Sequence, residues 1–154
     1  MCFSFRISIG TFIFSWASCF YLLNKGLSEP KRQSIIFLMI FSSMQLSDAI
    51  LWYTGMKKNT VNYLTTSVLI PIILSLQVLY NVYIRNKNKN KYLSAFTIII
   101  LLYIFYRFHG YSKPVCSNKL SSPVWASNEL QLWELIVFAI LVLYPNWKAI
   151  LYTV

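Results

Sequence analysis

The stretch Ile35-Ile36-Phe37-Leu38-Met39-Ile40-Phe41-Ser42-Ser43-Met44-Gln45-Leu46-Ser47-Asp48-Ala49-Ile50-Leu51-Trp52-Tyr53 runs nineteen residues with one charge, Asp48. About 20 apolar residues, rising 1.5 Å each, let a helix cross a ~30 Å hydrocarbon layer, so the stretch reads as a membrane span. Nine strongly apolar residues (Ile35, Ile36, Phe37, Leu38, Ile40, Phe41, Leu46, Ile50, Leu51) contribute about −0.3 to −0.6 kcal/mol each to insertion, roughly −4 in sum. Asp48 costs about 2.5–3.5 kcal/mol, and Gln45 with Ser42, Ser43 and Ser47 consume the remainder. Such a helix does not sit alone in lipid. Its polar side faces other helices, and an acid there needs a partner or a purpose.

The rest of the chain agrees. Of 154 residues, 57% are hydrophobic and 12% charged, about half the charge of a soluble domain of this size. The apolar residues form long blocks at about 7–23, 35–53, 61–84, 92–108 and 130–148, each near the length of a span. The expected fold is all-α, a single polytopic membrane bundle of about five helices. The first block has one basic flank, Arg6, no A-x-A site after it, and an apolar run that continues through Phe20-Tyr21-Leu22-Leu23. It reads as a retained helix and not a cleaved signal.

The net charge of +10 sits between the blocks, as topology signals and contacts for anionic headgroups do. No nucleic-acid module is recognisable in the loops, so the lipid bilayer is the expected partner and nucleic acid is not. With the N-terminus outside, Lys25, Lys31, Arg32, Arg85, Lys87, Lys89, Lys91 and Lys148 fall inside. Arg6, Lys57, Lys58, Arg107, Lys113 and Lys119 then fall outside. Eight against six favours N-outside, C-inside. With five spans, Cys2 and Cys116 share a face and can pair if that face is oxidising. Free thiols, or acylation of Cys19 near the opposite interface, are the alternative. No C-x-x-C pair and a single histidine, His109, leave no metal spacing, and no cofactor is expected.

Phe41, Gln45, Asp48 and Trp52 recur at spacings of four, three and four, which puts them on one stripe of the second helix. Ser8, Thr11, Ser15 and Ser18 form a matching small polar stripe on the first. The two helices are expected to pack through these stripes, with hydroxyls bonding the Asp48 carboxyl. Two readings of Asp48 stay open. As a functional site it centres a solute, proton or ion path assisted by Glu134 or Arg6; as a structural group it pairs with an arginine or is protonated and fixes packing.

Elsewhere the bland reading prevails. Asn128 and Gln131 resemble a capping box, placing Glu134 in the second turn of the fifth helix as a solvated interfacial acid. Pro71 should kink the third span, and His109 reads as a surface residue. Trp52, Tyr53, Trp125, Trp133, Tyr144 and Trp147 lie near span ends as an aromatic belt. Nothing resembles a Ser/His/Asp arrangement, a phosphate-cradling glycine loop or a carboxylate pair, so enzyme chemistry is the least supported class.

The opening Met1-Cys2-Phe3-Ser4, with Ser8 and Thr11-Phe12-Ile13-Phe14-Ser15, resembles a family of short multi-pass membrane proteins of giant nucleocytoplasmic DNA viruses. Members typically carry a later Met-Gln-Leu-x-acid-x-x-x-Trp segment, which Met44, Gln45, Leu46, Asp48 and Trp52 match in register. The viral members have Glu where this chain has Asp48, and Ile70 stands before Pro71 where they have Gln. The resemblance covers roughly the first half of the chain. It implies that Cys2, Gln45, Asp48 and Trp52 belong together, and it brings no activity with it.

The expectation is therefore a non-enzymatic integral membrane protein of a viral or host membrane, acting through helix packing and partners. Those partners are a second copy of the chain or another membrane protein. The alternative is a small channel or carrier with Asp48 in its pathway.

Overall fold

The computed structural model describes residues 4–85, 91–117, 120–127 and 131–143. Ser4, extended at φ −118° and ψ 165°, opens α1 (Phe5–Leu23) by accepting from Ile7 N at 3.5 Å. The next helix, α2 (Glu29–Ser42), begins earlier than hydropathy suggests. Pro30 sits in its first turn, where a missing N–H leaves no helical bond unmade, and Glu29 meets the positive end of the dipole. The connection between the first two blocks thus ends at Ser28, and Lys31 and Arg32 ride on the helix.

Ser43 separates α2 from α3 (Met44–Tyr53). The hydroxyls of Ser43 and Ser42 both donate to Met39 O, at 2.8 and 3.1 Å, competing with the backbone ladder. Glu29–Tyr53 is therefore one 25-residue rod with a serine break inside it. It ends on Gly55 and Met56, at φ 61° and 50°. Met56 N–H reaches Leu51 O at 3.0 Å and Gly55 N–H reaches Trp52 O at 3.1 Å, the paired bonds of a Schellman stop. Met56 is held in the left-handed region because its side chain is buried in the same apolar cluster as Leu51.

The third rod starts as α4 (Thr60–Leu64), capped by Asn59, whose side chain accepts from Asn62 N at 2.8 Å. A π-helical stretch, Thr65–Leu69, leads into α5 (Ile70–Leu79) and a second one, Tyr80–Arg85. Pro71 accounts for the first. It has no N–H, its ring crowds the preceding turn, and a wider π turn accommodates both. The expected proline kink is a π-bulge, with Ile70 N–H reaching back to Thr65 O.

After α6 (Lys91–Arg107) a two-stranded hairpin, β1 (Lys113–Ser117) with β2 (Leu120–Val124), fills much of the segment before α7 (Leu132–Leu143). The architecture is all-α, five helical rods with this hairpin in one connection. Among the described residues three rods are long and apolar enough to cross a membrane: Phe5–Leu23, Glu29–Tyr53 and Thr60–Ile84. In the described residues α6 has 17 residues and α7 has 12; most of the remainder of the block expected at 130–148 lies outside them.

α1 lies against α2 and α3, α5 touches α2 and α6, and α7 packs on α5 and the Tyr80–Arg85 turns. The Phe5 and Tyr53 rings, 5.5 Å apart, tie the start of α1 to the end of α3. Two apolar clusters form the interior, one around Leu51, Met56, Ile70 and Phe108, the other around Val78, Val82, Leu141 and Val142. Large apolar side chains also face outward, among them Phe14, Leu102 and Leu132 at 75%, 68% and 73% exposure. An apolar exterior around buried polar groups inverts the usual soluble arrangement and is compatible with a membrane protein.

A buried polar knot holds the end of α6 against the start of α4. Asn62 Nδ2 donates to Lys57 O at 3.1 Å and Ser112 O at 3.0 Å. Its Oδ1 accepts from Ser112 N at 2.9 Å and from the Thr66 hydroxyl at 3.1 Å. The Thr66 and Ser112 hydroxyls meet at 2.7 Å. Beside it, Ser67 Oγ accepts from Gly110 N at 2.9 Å, and the Tyr63 hydroxyl meets His109 Nε2 at 2.9 Å. Asn62→Leu strands several of these groups at about 1–3 kcal/mol each. Its melting temperature in detergent should fall steeply, while Val61→Leu, on the outward face, leaves it unchanged.

Candidate functional site

Asp48 sits in α3, five residues from its end, and is 6% exposed. Its carboxylate oxygen accepts from Trp125 Nε1 at 3.1 Å. Trp125 comes from the segment between the hairpin and α7, beside Ala126 at φ 60° and ψ 33°. Its ring stands 6.1 Å from that of Phe108. This corrects two expectations: Trp125 is the partner of an internal acid, and no α1 hydroxyl supplies the bond to Asp48. Thr11 Oγ1 instead donates to Ile7 O at 2.8 Å, the local back-bond that helical Thr favours. Ser8 is fully buried, and its hydroxyl has no partner among the described residues. What α1 provides is close approach: Thr11 and Ser15 line the same cavity as Asp48.

That cavity has a volume of about 480 Å³. Gln45 and Phe41 line it with Asp48, so three members of the expected stripe meet there. Trp52 does not. It packs against the Leu51 and Met56 cluster, its Nε1 buried without a partner among the described residues. Trp52 lies one turn beyond Asp48, next to the last residue of α3, and meets that cluster instead of the cavity.

The second acid departs further from expectation. Glu134 is 8% exposed and forms an ion pair with Arg107, Nε to Oε1 at 2.6 Å and Nη2 to Oε2 at 3.3 Å. The Tyr103 hydroxyl donates to Oε1 at 2.5 Å, and Gln131 N donates to Oε2 at 2.6 Å. Glu134 therefore lies in the first turn of α7 and reaches back to the N–H at its cap, half of a capping box placed one turn later than expected. The solvated interfacial acid is in fact a buried one with four bonds. The signal in the sequence was Tyr103 and Arg107, four apart on one face of α6. Their target lies across a 24-residue connection, and spacing alone does not reveal it.

Among the other expected positions, Arg6 is exposed and Arg107 belongs to the ion pair, so neither contacts Asp48. Cys19 is buried at 1% exposure, which removes it as an interfacial acylation site. Cys2 lies outside the described residues, as does the side chain of Cys116, and with them the expected pairing. Gln77 follows Pro71 by six residues on α5, with no pattern in the sequence that marks it. It is 1% exposed, lines the cavity, and has neither side-chain nitrogen nor oxygen bonded among the described residues.

Set against family models, curated proteins and solved structures, this chain matches none.

The bidentate pair has a measurable signature. Arg107→Met leaves the Glu134 carboxylate short of its counter-charge and should destabilise the fold by about 3–5 kcal/mol. Adding Glu134→Leu to it should recover part of that loss. Denaturation in mixed micelles, run as a double-mutant cycle, reads the coupling directly; additive losses would mean the pair is not energetically joined.

Proposed function

We propose that the chain is a five-span integral membrane protein that works without catalysis, as a helical scaffold or interaction protein. The observation that carries this reading is the use made of the interior charges. Arg107 and Glu134 join α6 to α7, and Asp48 joins α3 to the segment before α7. An acid in an ion path needs changing water or ion partners, whereas these are engaged by fixed protein groups. The Asn62 knot supports the fourth span, because it sets the end of α6 beside the start of α4, as an antiparallel crossing requires.

The viral or host membrane rests on the resemblance of the Met44, Gln45, Leu46, Asp48 and Trp52 segment. N-outside orientation rests on the basic residues. Withdrawing Arg107 from the outer set, since it is internally paired, leaves eight against five and strengthens that reading. A second copy or another membrane protein remains the expected partner, and the outward apolar faces of α1 and α6 offer it a surface.

The channel or carrier reading is favoured by one observation, that a cavity reaches Asp48. Its largely apolar wall, with Leu38, Leu74, Ile100, Val137 and Phe138, suits an ion poorly. Purified protein in liposomes separates the two. The scaffold reading expects proton and potassium flux at the protein-free level and a lowered melting temperature for Asp48→Asn. Flux in the parent protein that Asp48→Asn abolishes with folding intact would replace it by the channel reading. For topology, single cysteines at Lys58 and Lys113 in a cysteine-free background should label from one side and Lys25→Cys from the other. Labelling of Lys58→Cys and Lys113→Cys from opposite sides would remove the fourth span.

A further inference from the structure

The cavity holds hydrogen-bonding capacity that the scaffold does not use. Its volume, about 480 Å³, lies within the ~300–1,000 Å³ of small-molecule sites, which are apolar with a few placed polar groups. Most polar groups in its wall are already bonded. Arg107, Tyr103 and Glu134 hold one another, Trp125 holds Asp48, and Ser42 and Thr11 bond their own backbones. Among the described lining residues, the fully buried side-chain atoms left without a partner belong to two primary amides. Gln45 has a buried, unpartnered Oε1, and Gln77 has both Nε2 and Oε1 unpartnered.

Gln77 is the more buried, at 1% exposure. It lies eight residues from Arg85, about 12 Å along the rod, and 17 residues from Thr60, about 25 Å. Burying an amide without partners in an apolar medium costs on the order of several kcal/mol. An ordinary core position holds an apolar side chain instead, as the buried Leu74 and Val78 of the same helix do.

The chemistry of that amide selects its occupant. It offers a donor and an acceptor side by side, so the complementary group both accepts and donates. A hydroxyl does so without charge. A carboxylate only accepts and would carry charge to this depth, an ammonium only donates, and an alkane does neither. We propose that the cavity is a binding site for a neutral lipid alcohol, an apolar body whose hydroxyl is held by the Gln77 amide inside the bundle. The body lies along Leu38, Leu74, Ile100, Val137 and Phe138. The site requires only that the helices pack as described, and it stands whether or not the protein also acts as a scaffold.

The test uses the full chain in nanodiscs with a diazirine-bearing hexadecan-1-ol as probe. Crosslinks should map to the peptides holding Leu74, Ile100 and Phe138. Excess hexadecan-1-ol or cholesterol should suppress them, and whichever does so at lower concentration distinguishes a linear alcohol from a sterol. Hexadecane should not compete, nor should hexadecanoic acid at alkaline pH, where it is the carboxylate. Gln77→Leu should weaken labelling about 5–10-fold, the loss of one hydrogen bond, while melting without added alcohol is unchanged or higher. Leu74→Trp fills the space without altering Gln77 and should abolish labelling at Phe138. Competition by hexadecane equal to that of the alcohol would overturn the proposal. So would labelling spread over outward residues such as Phe14 and Leu102 and indifferent to both variants. A Gln77→Leu protein that melts earlier would make the amide structural, and that too overturns it.

Discussion

The carboxylate of Glu134 organises one end of this molecule. Arg107 and Tyr103 approach it from α6, and the Gln131 N–H approaches from the start of its own helix. A buried carboxylate is tolerable only when its lone pairs are met in this way, because in an apolar surrounding nothing else meets them. Meeting them fixes where α7 begins, how it lies against α6, and which residues between the two face the cavity. The tilted packing of Tyr103 against Trp133, with ring centroids 5.5 Å apart, follows from the same junction.

The other polar contacts obey the same constraint by other means. Asn62, Thr66 and Ser112 satisfy one another at the α4 end, and Trp125 answers Asp48 close by. Toward the opposite end the interior becomes apolar around Val78, Val82, Leu141 and Val142, where the Asn81 amide donates to Leu141 O at 2.6 Å. Polar knots at one end and an apolar cluster at the other leave the cavity between them. Its character comes from that position: bonded charges at one level, an amide and aliphatic walls at another.

Long-range partners are not legible in the chain, and each case has a physical cause. The hydropathy blocks located the helical rods of the described residues because a long apolar run is a composition-scale property. Pro71 marked a distortion, since a missing N–H is visible in the sequence, though whether the helix kinks or widens depends on its neighbours. The Ser42-Ser43 break was written in two adjacent hydroxyls and passed as ordinary polarity. Asp48 stands out in the sequence as a costly acid, and the spacing of hydroxyls on α1 points to the wrong partner. Trp125 lies 77 positions away, behind a hairpin, and was read as an interfacial ring.

By itself the sequence determined that the chain is helical, how many apolar rods it has, and that Asp48 and Gln45 turn inward, because these depend on periodicity and transfer energy along a single segment. Only the tertiary structure decided that Arg107 belongs to Glu134, that Trp125 belongs to Asp48, and that Gln77 is left facing a cavity. Those outcomes depend on which donors and acceptors the folded chain brings within about 3 Å of one another. No local pattern encodes a distance between helices.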